Sequence, residues 1–259
     1  MTGCLTTFGS TGCAENPVSI PNKESEAMTF SGIVFDKDGT LFDFNATWGA
    51  WTAGMLADLG QGDQTRISAL ADALGYDPEQ QVFFPDSIVV AHTADEIADA
   101  LIGVLEDVDH ADLVAIMDEM AANAPQVEAT DLREFVAQLQ RRNIKIGVAT
   151  NDSEAPARTH LKEAGIEDAF DFIAGFDSGW GGKPEPGQLF GFCETLKLDP
   201  KTCAMVGDSL HDLKAGRAAG MFTIGVLTGV ADHDTLAPWA DLVLPSIADL
   251  PGWLDQQSG

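Results

Sequence analysis

The stretch Ser31-Gly32-Ile33-Val34-Phe35-Asp36-Lys37-Asp38-Gly39-Thr40-Leu41 decides how this chain folds. Residues 31–35 are mostly apolar and include β-branched side chains, a pattern that predicts a short buried strand. Asp-Lys-Asp-Gly follows at once and predicts a tight turn. Two carboxylates, Asp36 and Asp38, therefore stand just beyond the end of a buried strand.

Downstream of residue 131, helical and strand patterns alternate regularly. Such alternation, with continuously apolar strands, predicts an α/β fold with a doubly wound parallel sheet covered by helices on both faces. Ligands bind at the carboxyl ends of the strands in these sheets. The predicted helices are 131–142, 154–164, 186–197 and 209–219, and the predicted strands are 144–150, 170–174, 202–206, 222–227 and 241–244.

A helical module interrupts this pattern between the first strand and the rest of the sheet. Ala, Leu, Asp and Glu dominate from about residue 45 to 128, and their helical spacing predicts helices at 46–59, 63–74, 94–106 and 109–122, with little strand signal. We therefore divide the chain into an α/β core (28–44 and 130–259) and an inserted helical cap (45–129). Residues 1–27 lack apolar periodicity, and we expect a disordered N-terminal extension there.

Composition excludes several classes of function. The chain has 259 residues, of which 45% are apolar, and this is the profile of a globular protein with a substantial core. No apolar run approaches the ~18 residues of a membrane-spanning helix. The net charge of −27, with 14 Lys and Arg, argues against nucleic-acid binding. With no secretion signal we expect a cytoplasmic protein, a monomer or homodimer whose partner is a small molecule.

Polar residues follow the predicted strands at four separate places. The first strand is followed by Asp36–Thr40 and the second by Thr150-Asn151-Asp152. The third is followed by a Gly-rich loop and then Lys183-Pro184. The fourth is followed by Gly207-Asp208-Ser209, and Asp212 lies four residues after Asp208. Parallel strands bring these loops to one edge of the sheet.

Such a set of residues suits phosphoryl transfer, which requires charge neutralisation, an in-line nucleophile and an acid for the leaving group. A carboxylate can act as the nucleophile. Converging carboxylates suit Mg²⁺, which prefers oxygen ligands, and the backbone N–H groups at Gly39 can cradle phosphate oxygens. A calcium EF-hand loop beginning at Asp36 is excluded, because its sixth residue would be Leu41 and its twelfth Thr47.

The motif Asp36-Lys37-Asp38-Gly39-Thr40-Leu41 resembles the first motif of haloacid dehalogenase-type phosphatases. Thr150 is similar to their second motif, Lys183-Pro184 to their third and Gly207–Asp212 to their fourth. The resemblance covers about residues 29–255, and the position of the insert is similar to that in the helical-cap branch that includes phosphoglycolate phosphatases. It implies a Rossmann-like core with an α-helical cap.

The same resemblance implies roles for individual residues. Asp36 would be the covalent nucleophile and a Mg²⁺ ligand. Asp38 would act as acid and base and would bind the metal through its backbone carbonyl, and Asp208 would complete the protein ligands. Asp212 would act outside the direct ligands. The phosphate would be bound by Gly39, Thr150, Asn151 and Lys183.

Other polar and aromatic residues allow more than one interpretation. We interpret His92, His110 and His211 as structural. Trp48 and Trp51 are interpreted as packing within the cap, and the alternative is that Trp48 lines the substrate entrance. Lys37 stands where the family often has an apolar residue. It either compensates the local carboxylate charge or points away from the site.

The composition of the cap limits the substrate. Arg66 is the only Lys or Arg between residues 45 and 128, which disfavours a polyanionic leaving group. A substrate carboxylate could use Arg66, or Arg158 from the core. We therefore expect a small phosphomonoester, with phosphoglycolate first and sugar phosphates next. The alternatives are a 2-haloacid dehalogenase, a phosphomutase of the same fold and a non-catalytic binding module.

Overall fold

The computed structural model describes Met1 and residues 29–257, except for residues 85, 86, 91, 106, 107 and 125. The predicted N-terminal extension, residues 1–27, lies outside the described residues apart from Met1. The helices and strands are, in chain order, β1 (Gly32–Phe35), α1 (Phe44–Gly60), α2 (Gln64–Leu74), β2 (Tyr76–Asp77), β3 (Val82–Phe83), α3 (Ala94–Ile102), α4 (His110–Ala122), α5 (Leu132–Arg141), β4 (Lys145–Ala149), α6 (Glu154–Glu163), β5 (Phe172–Ala174), α7 (Gly187–Leu196), β6 (Cys203–Gly207), α8 (Leu210–Ala219), β7 (Phe222–Val226), α9 (His233–Leu236), β8 (Leu242–Leu244) and α10 (Leu250–Gln257).

The sheet has six parallel strands in the order β5-β4-β1-β6-β7-β8. β1 lies between β4 and β6, and its last residue, Phe35, is paired with Val148 on one side and Val206 on the other. The three strands therefore end at nearly the same level. This register brings the loops after β1, β4 and β6 together, and the prediction of a doubly wound parallel sheet is confirmed.

β1 is buried on both faces. Ile33 and Phe35 belong to one apolar cluster, which includes side chains from α5 and α10, whereas Val34 belongs to a second cluster with side chains from α7 and α8. All three side chains are fully buried. Burying such a side chain contributes about 1.5–3 kcal/mol, so the strand that carries Asp36 is held firmly in place.

A third apolar cluster is built almost entirely from α1, α2, α3 and α4. We propose that it is the core of the predicted cap. A two-stranded antiparallel hairpin, β2–β3, interrupts these helices. The sequence did not predict it because two residues per strand are too few to show a period.

Some predicted boundaries differ from those observed. α3 ends at Ile102 rather than at residue 106, and Gly103 is its C-cap. β5 begins at Phe172, two residues later than expected, and the short helices α9 and α10 were not predicted. Among the described residues, no helix is both long and apolar enough to cross a membrane.

Candidate active site

Asp36 stands at the end of β1 and is held by a buried lysine. Its backbone N–H donates to the carbonyl of Val206 on β6 at 2.8 Å. Lys183 Nζ donates to Asp36 Oδ1 at 2.5 Å and to Asp212 Oδ1 at 2.6 Å. Burial opposes the charge of Lys183, but the two carboxylates outweigh burial and raise the pKa of its ammonium group. Lys183 therefore links two carboxylates that are far apart in the sequence.

Three buried carboxylates form a group that could hold a cation. Asp36, Asp208 and Asp212 each offer an oxygen, and these oxygens lie within 4.8 Å of one another. Burial raises the pKa of Asp36 to about 7, with Lys183 opposing, and raises the pKa of Asp208 well above its usual range. Within the described residues, Oδ2 of Asp208 is buried without a hydrogen-bond partner. A divalent cation would satisfy that oxygen and offset the cost of burying the charges, so the residues fit a metal ion.

Both oxygens of Asp212 are already in use. Oδ1 accepts from Lys183, and Oδ2 accepts from the backbone N–H of Ser209 at 3.0 Å and from its hydroxyl at 2.7 Å. Ser209 and Asp212 form the capping box that begins α8. We infer that Asp212 orients Lys183 and the start of α8, in line with its predicted place outside the direct ligands.

Two glycines make room for the carboxylate of Asp208. A Cβ on Gly39, whose φ is +79°, would lie 2.5 Å from Asp208 Oδ2, and a Cβ on Gly229 would lie 1.6 Å from the same oxygen. The hydroxyl of Thr228 donates to the carbonyl of Gly39 at 2.5 Å and ties these two loops together. Sequence reasoning missed Gly229. Its only signal was a glycine shortly after a strand, which an ordinary turn also explains.

Lys37 is fully buried beside the site. Its Nζ lies 2.7 Å from Asp38 Oδ2, 3.3 Å from Asp152 Oδ2 and 3.1 Å from His160 Nδ1. Burial lowers the pKa of Lys37, but the two carboxylates outweigh burial and raise it above its usual range. Burial raises the pKa of Asp152 to about 6, with Lys37 opposing. Of the two interpretations of Lys37, charge compensation is therefore the one observed.

His160 connects Lys37 to helix α4. Its Nε2 lies 2.8 Å from the carbonyl of Ala121 in α4. Since a carbonyl only accepts, Nε2 carries the proton and Nδ1 accepts from Lys37. Burial first, and then Lys37, lower the pKa of His160 to about 4. The sequence signal for this residue was weak, because His160 lies on the buried face of α6 like any apolar residue.

Thr150 and Asn151 follow β4 as expected. Thr150 is 2% exposed, and its hydroxyl accepts from the backbone N–H of Asp152 at 3.0 Å. The side-chain amide of Asn151 donates to the carbonyl of Lys183 at 2.8 Å and accepts from its N–H at 2.7 Å. Asn151 therefore fixes the backbone that carries Lys183. The role of both residues as phosphate ligands stays a prediction.

A pocket of about 660 Å³, partly open to solvent, extends from these residues towards α1, α3 and α4. Trp48 and Trp51 both line it and belong to the helical cluster. Packing is therefore observed for both, and the alternative that Trp48 lines the substrate entrance stays a prediction. The rings of His92 and His211 lie 5.4 Å apart in its wall. The residues that line it are Asp36, Asp38, Phe44, Trp48, Trp51, Val89, Val90, His92, Ala94, Ile97, Met117, Asp118, Ala121, Thr150, Asn151, Asp152, Lys183, Ser209 and His211.

Neither arginine that was considered for a substrate carboxylate lines this pocket. Arg66 is exposed near the start of α2. Arg158 lies on α6, where it pairs with Glu154 at 2.7 Å and with Glu167 at 3.1 Å. A role for either arginine in binding a substrate carboxylate stays a prediction, and the pocket gives it no support, because position in the sequence does not show which face of a helix turns towards the site.

Comparison with known proteins shows the family of this chain. A profile of the haloacid dehalogenase-like hydrolase family matches residues 30–220. The phosphoglycolate phosphatase of Chromobacterium violaceum is 30% identical over 233 residues, covering 84% of this chain and 93% of that protein. The probable phosphatase IndB of Dickeya dadantii is 29% identical over 204 residues, covering 79% and 84% of the two chains.

A solved structure shares the fold as well. CbbY from Rhodobacter sphaeroides, in complex with phosphate, superimposes with a TM-score of 0.67 at 22% identity, covering 86% of this chain and 96% of that one. The relatives confirm the prediction of a phosphomonoester hydrolase. The chain belongs to the haloacid dehalogenase-like hydrolase family, in the branch that contains phosphoglycolate phosphatases.

Proposed function

We propose that this protein is a Mg²⁺-dependent phosphatase that hydrolyses a small phosphomonoester through a phosphoryl-Asp36 intermediate. One observation carries the proposal. Asp36 stands at the end of the central strand, is held by Lys183 at 2.5 Å, and has an oxygen within 4.8 Å of a carboxylate oxygen of Asp208. A nucleophile, a neutralising ammonium group and a metal-binding acid therefore meet at one point.

In the first step, a carboxylate oxygen of Asp36 attacks phosphorus while the bond from phosphorus to the leaving oxygen breaks. Lys183 contacts Oδ1, which leaves Oδ2 for the attack. Asp38 lines the same pocket and, in its protonated form, delivers a proton to the leaving oxygen, so the product is a neutral alcohol and Asp38 becomes the carboxylate that Lys37 stabilises. Lys183 offsets charge on the phosphoryl oxygens, and the buried hydroxyl of Thr150 lies in the same wall.

In the second step, Asp38 takes a proton from a water molecule, whose oxygen attacks phosphorus. The bond between phosphorus and Asp36 breaks, free phosphate leaves and Asp36 is regenerated. Asp36, Asp208 and the backbone carbonyl of Asp38 are the groups that would hold Mg²⁺. When bound, the ion neutralises phosphoryl charge as a Lewis acid.

The proposal also covers the substrate, the cellular location and the oligomeric state. The name of the Chromobacterium violaceum relative makes phosphoglycolate the first compound to test, with sugar phosphates next. A cytoplasmic location and a monomeric or homodimeric state belong to the same proposal.

The test is a phosphomonoester panel assayed for free phosphate with Mg²⁺ and with EDTA. We expect turnover with the metal, loss of turnover with EDTA, and a fall in kcat of at least about a thousandfold in Asp36→Asn, because the amide is a poor nucleophile. Asp58→Asn changes an exposed carboxylate in α1 and is the matched control. Near-normal turnover of Asp36→Asn would exclude Asp36 as the nucleophile.

The same samples separate the alternative functions. Halide release from a 2-haloacid without metal would identify a dehalogenase. An isomerised ester without free phosphate would identify a phosphomutase. Either result would overturn the proposal.

A further inference from the structure

We propose that this phosphatase prefers monoesters whose leaving group is uncharged and apolar, such as a benzyl or cycloalkyl group, over those with a carboxylate. This inference rests on the proposed function, because it concerns the same pocket. The part of the pocket wall that would contact the leaving group is formed by helices rather than by the loops that follow the strands.

That part of the wall is apolar. It is built by α1, the turn Ile88–Val90, α3 and α4, whereas Asp36, Thr150 and Lys183 come from the loops that follow the strands. Its apolar members are Phe44, Trp48, Trp51, Val89, Val90, Ala94, Ile97, Met117 and Ala121. A leaving group that removes this surface from water gains free energy in proportion to the apolar area that is buried.

Among the described residues, no cation lines this part of the wall. Lys37 lies near Trp48, but it does not line the pocket and is already paired with Asp38 and Asp152. Lys183 lines the pocket, but both of its ion pairs are with Asp36 and Asp212. The polar groups in this part of the wall are His92, Asp118 and the indole N–H groups of Trp48 and Trp51. Asp118 accepts from the hydroxyl of Ser153 at 2.8 Å, and the two indole N–H groups, which are uncharged, have no hydrogen-bond partner among the described residues. A carboxylate placed there would lose water and would face another carboxylate, which is unfavourable without a paired cation.

A cationic leaving group is less well suited than an uncharged one. The rings of Trp48 and Trp51 meet edge to face with their centroids 4.9 Å apart. Lys37 Nζ already lies 5.5 Å from the centroid of the Trp48 ring. A second cation would lose its water and meet this ammonium group, which opposes the attraction of Asp118, whereas an uncharged ring can pack against the aromatic edges without burying a charge.

The first test compares phosphates of primary alcohols, so that the bond broken is the same type in each. The compounds are benzyl phosphate, cyclohexylmethyl phosphate, phosphoglycolate and phosphoethanolamine, assayed with Mg²⁺. We expect kcat/KM for the two apolar esters to exceed that for phosphoglycolate by about tenfold or more. Equal values, or a preference for phosphoglycolate or phosphoethanolamine, would overturn the inference.

The second test adds a cation to the wall. Val90 is half-buried and lines the pocket, whereas Val82 is 42% exposed and does not, so Val90→Lys and Val82→Lys form a matched pair. We expect Val90→Lys to shift the ratio of kcat/KM by about tenfold towards phosphoglycolate and Val82→Lys to leave it unchanged. Val89→Lys replaces Val90→Lys if the latter fails to fold, as judged by circular dichroism.

The two proposals fail in different ways. If none of the esters is hydrolysed with Mg²⁺, the proposed phosphatase function fails. If the esters are hydrolysed but phosphoglycolate is preferred, or if the lysine variants shift nothing, only the inference about the leaving group fails.

Discussion

At the scale of single residues, the position of the Asp208 carboxylate depends on two neighbouring residues that have no side chain. Gly39 and Gly229 flank its carboxylate, and a methyl group on either would overlap Oδ2. Asp208 can therefore approach Asp36 only because both neighbours lack a side chain. The two glycines lie on different loops, so neither explains the arrangement alone.

Gly229→Ala tests this arrangement. We expect the new methyl group to displace the Asp208 carboxylate and to weaken Mg²⁺ binding by about ten- to a hundredfold. The measurements are the Mg²⁺ concentration for half-maximal activity and the rise in Tm on adding Mg²⁺. Gly54→Ala is the control, because a Cβ at that helical position meets nothing within 4 Å. An unchanged Mg²⁺ affinity in Gly229→Ala would contradict the role of the glycine.

At the scale of elements, α4 and α6 are joined by buried polar contacts that lead to the site. His160 on α6 donates to the carbonyl of Ala121 at the end of α4 and accepts from Lys37. The hydroxyl of Ser153 donates to Asp118 in the same pair of helices. A proton added to Nδ1 of His160 would break the bond with Lys37 and bring two cations together. The contact therefore needs a neutral histidine.

His160→Gln tests that requirement through the pH dependence of stability. The pKa of His160 is about 4 in the folded state and about 6.5 when unfolded, so the unfolded chain binds more protons between these values. The free energy of unfolding should therefore fall as the pH is lowered, and His160 should contribute about 2 kcal/mol of that fall between pH 7.5 and pH 5. Between these two pH values, we expect the free energy of unfolding to fall by about 2 kcal/mol more in the wild type than in His160→Gln.

The measurement is urea unfolding at both pH values. The groups that face His160 are Lys37, Asp38 and Gln126. These groups are present in both proteins, as are Asp36 and Asp152. Because the raised pKa values of Asp36 and Asp152 make the folded state bind more protons, these two residues increase stability as the pH is lowered, and they do so in both proteins. His110→Gln, at a partly exposed histidine near Asp99, is the control. Equal pH dependence in wild type and His160→Gln would contradict the assignment of a neutral histidine.

At the scale of the whole molecule, charge repulsion opposes folding. The chain carries a net charge of −27, and the folded protein confines that charge to a small volume. Salt screens such repulsion over a Debye length that shortens from about 30 Å at 0.01 M to about 3 Å at 1 M. The free energy gained by burying the apolar clusters on both faces of the sheet must therefore offset a larger repulsion at low salt than at high salt.

We expect Tm to rise by several degrees between about 0.01 M and 1 M NaCl in the presence of EDTA. KCl should have the same effect at equal ionic strength, because screening does not depend on the identity of a monovalent cation. A flat Tm, or a rise with only one of the two salts, would show that general repulsion is not the cause.

The sequence alone determined the type of sheet and which strand-end side chains come together at its edge. Apolar strands that alternate with helices can only be buried as a parallel sheet, and parallel strands place their terminal loops at one edge. Asp36, Thr150, Lys183 and Asp208 could therefore be grouped although they are far apart in the chain. Motif spacing carried this information because the geometry of the sheet is regular.

Only the tertiary structure decided what surrounds that group. The partners of Lys37, the contact of His160 with α4, and the glycine beside Asp208 depend on how helices and loops pack, for which no sequence period exists. The same holds for the apolar wall and for the two arginines that do not line the pocket. Helical spacing predicts which residues share a face of a helix, but the packing of one helix on another decides what that face meets.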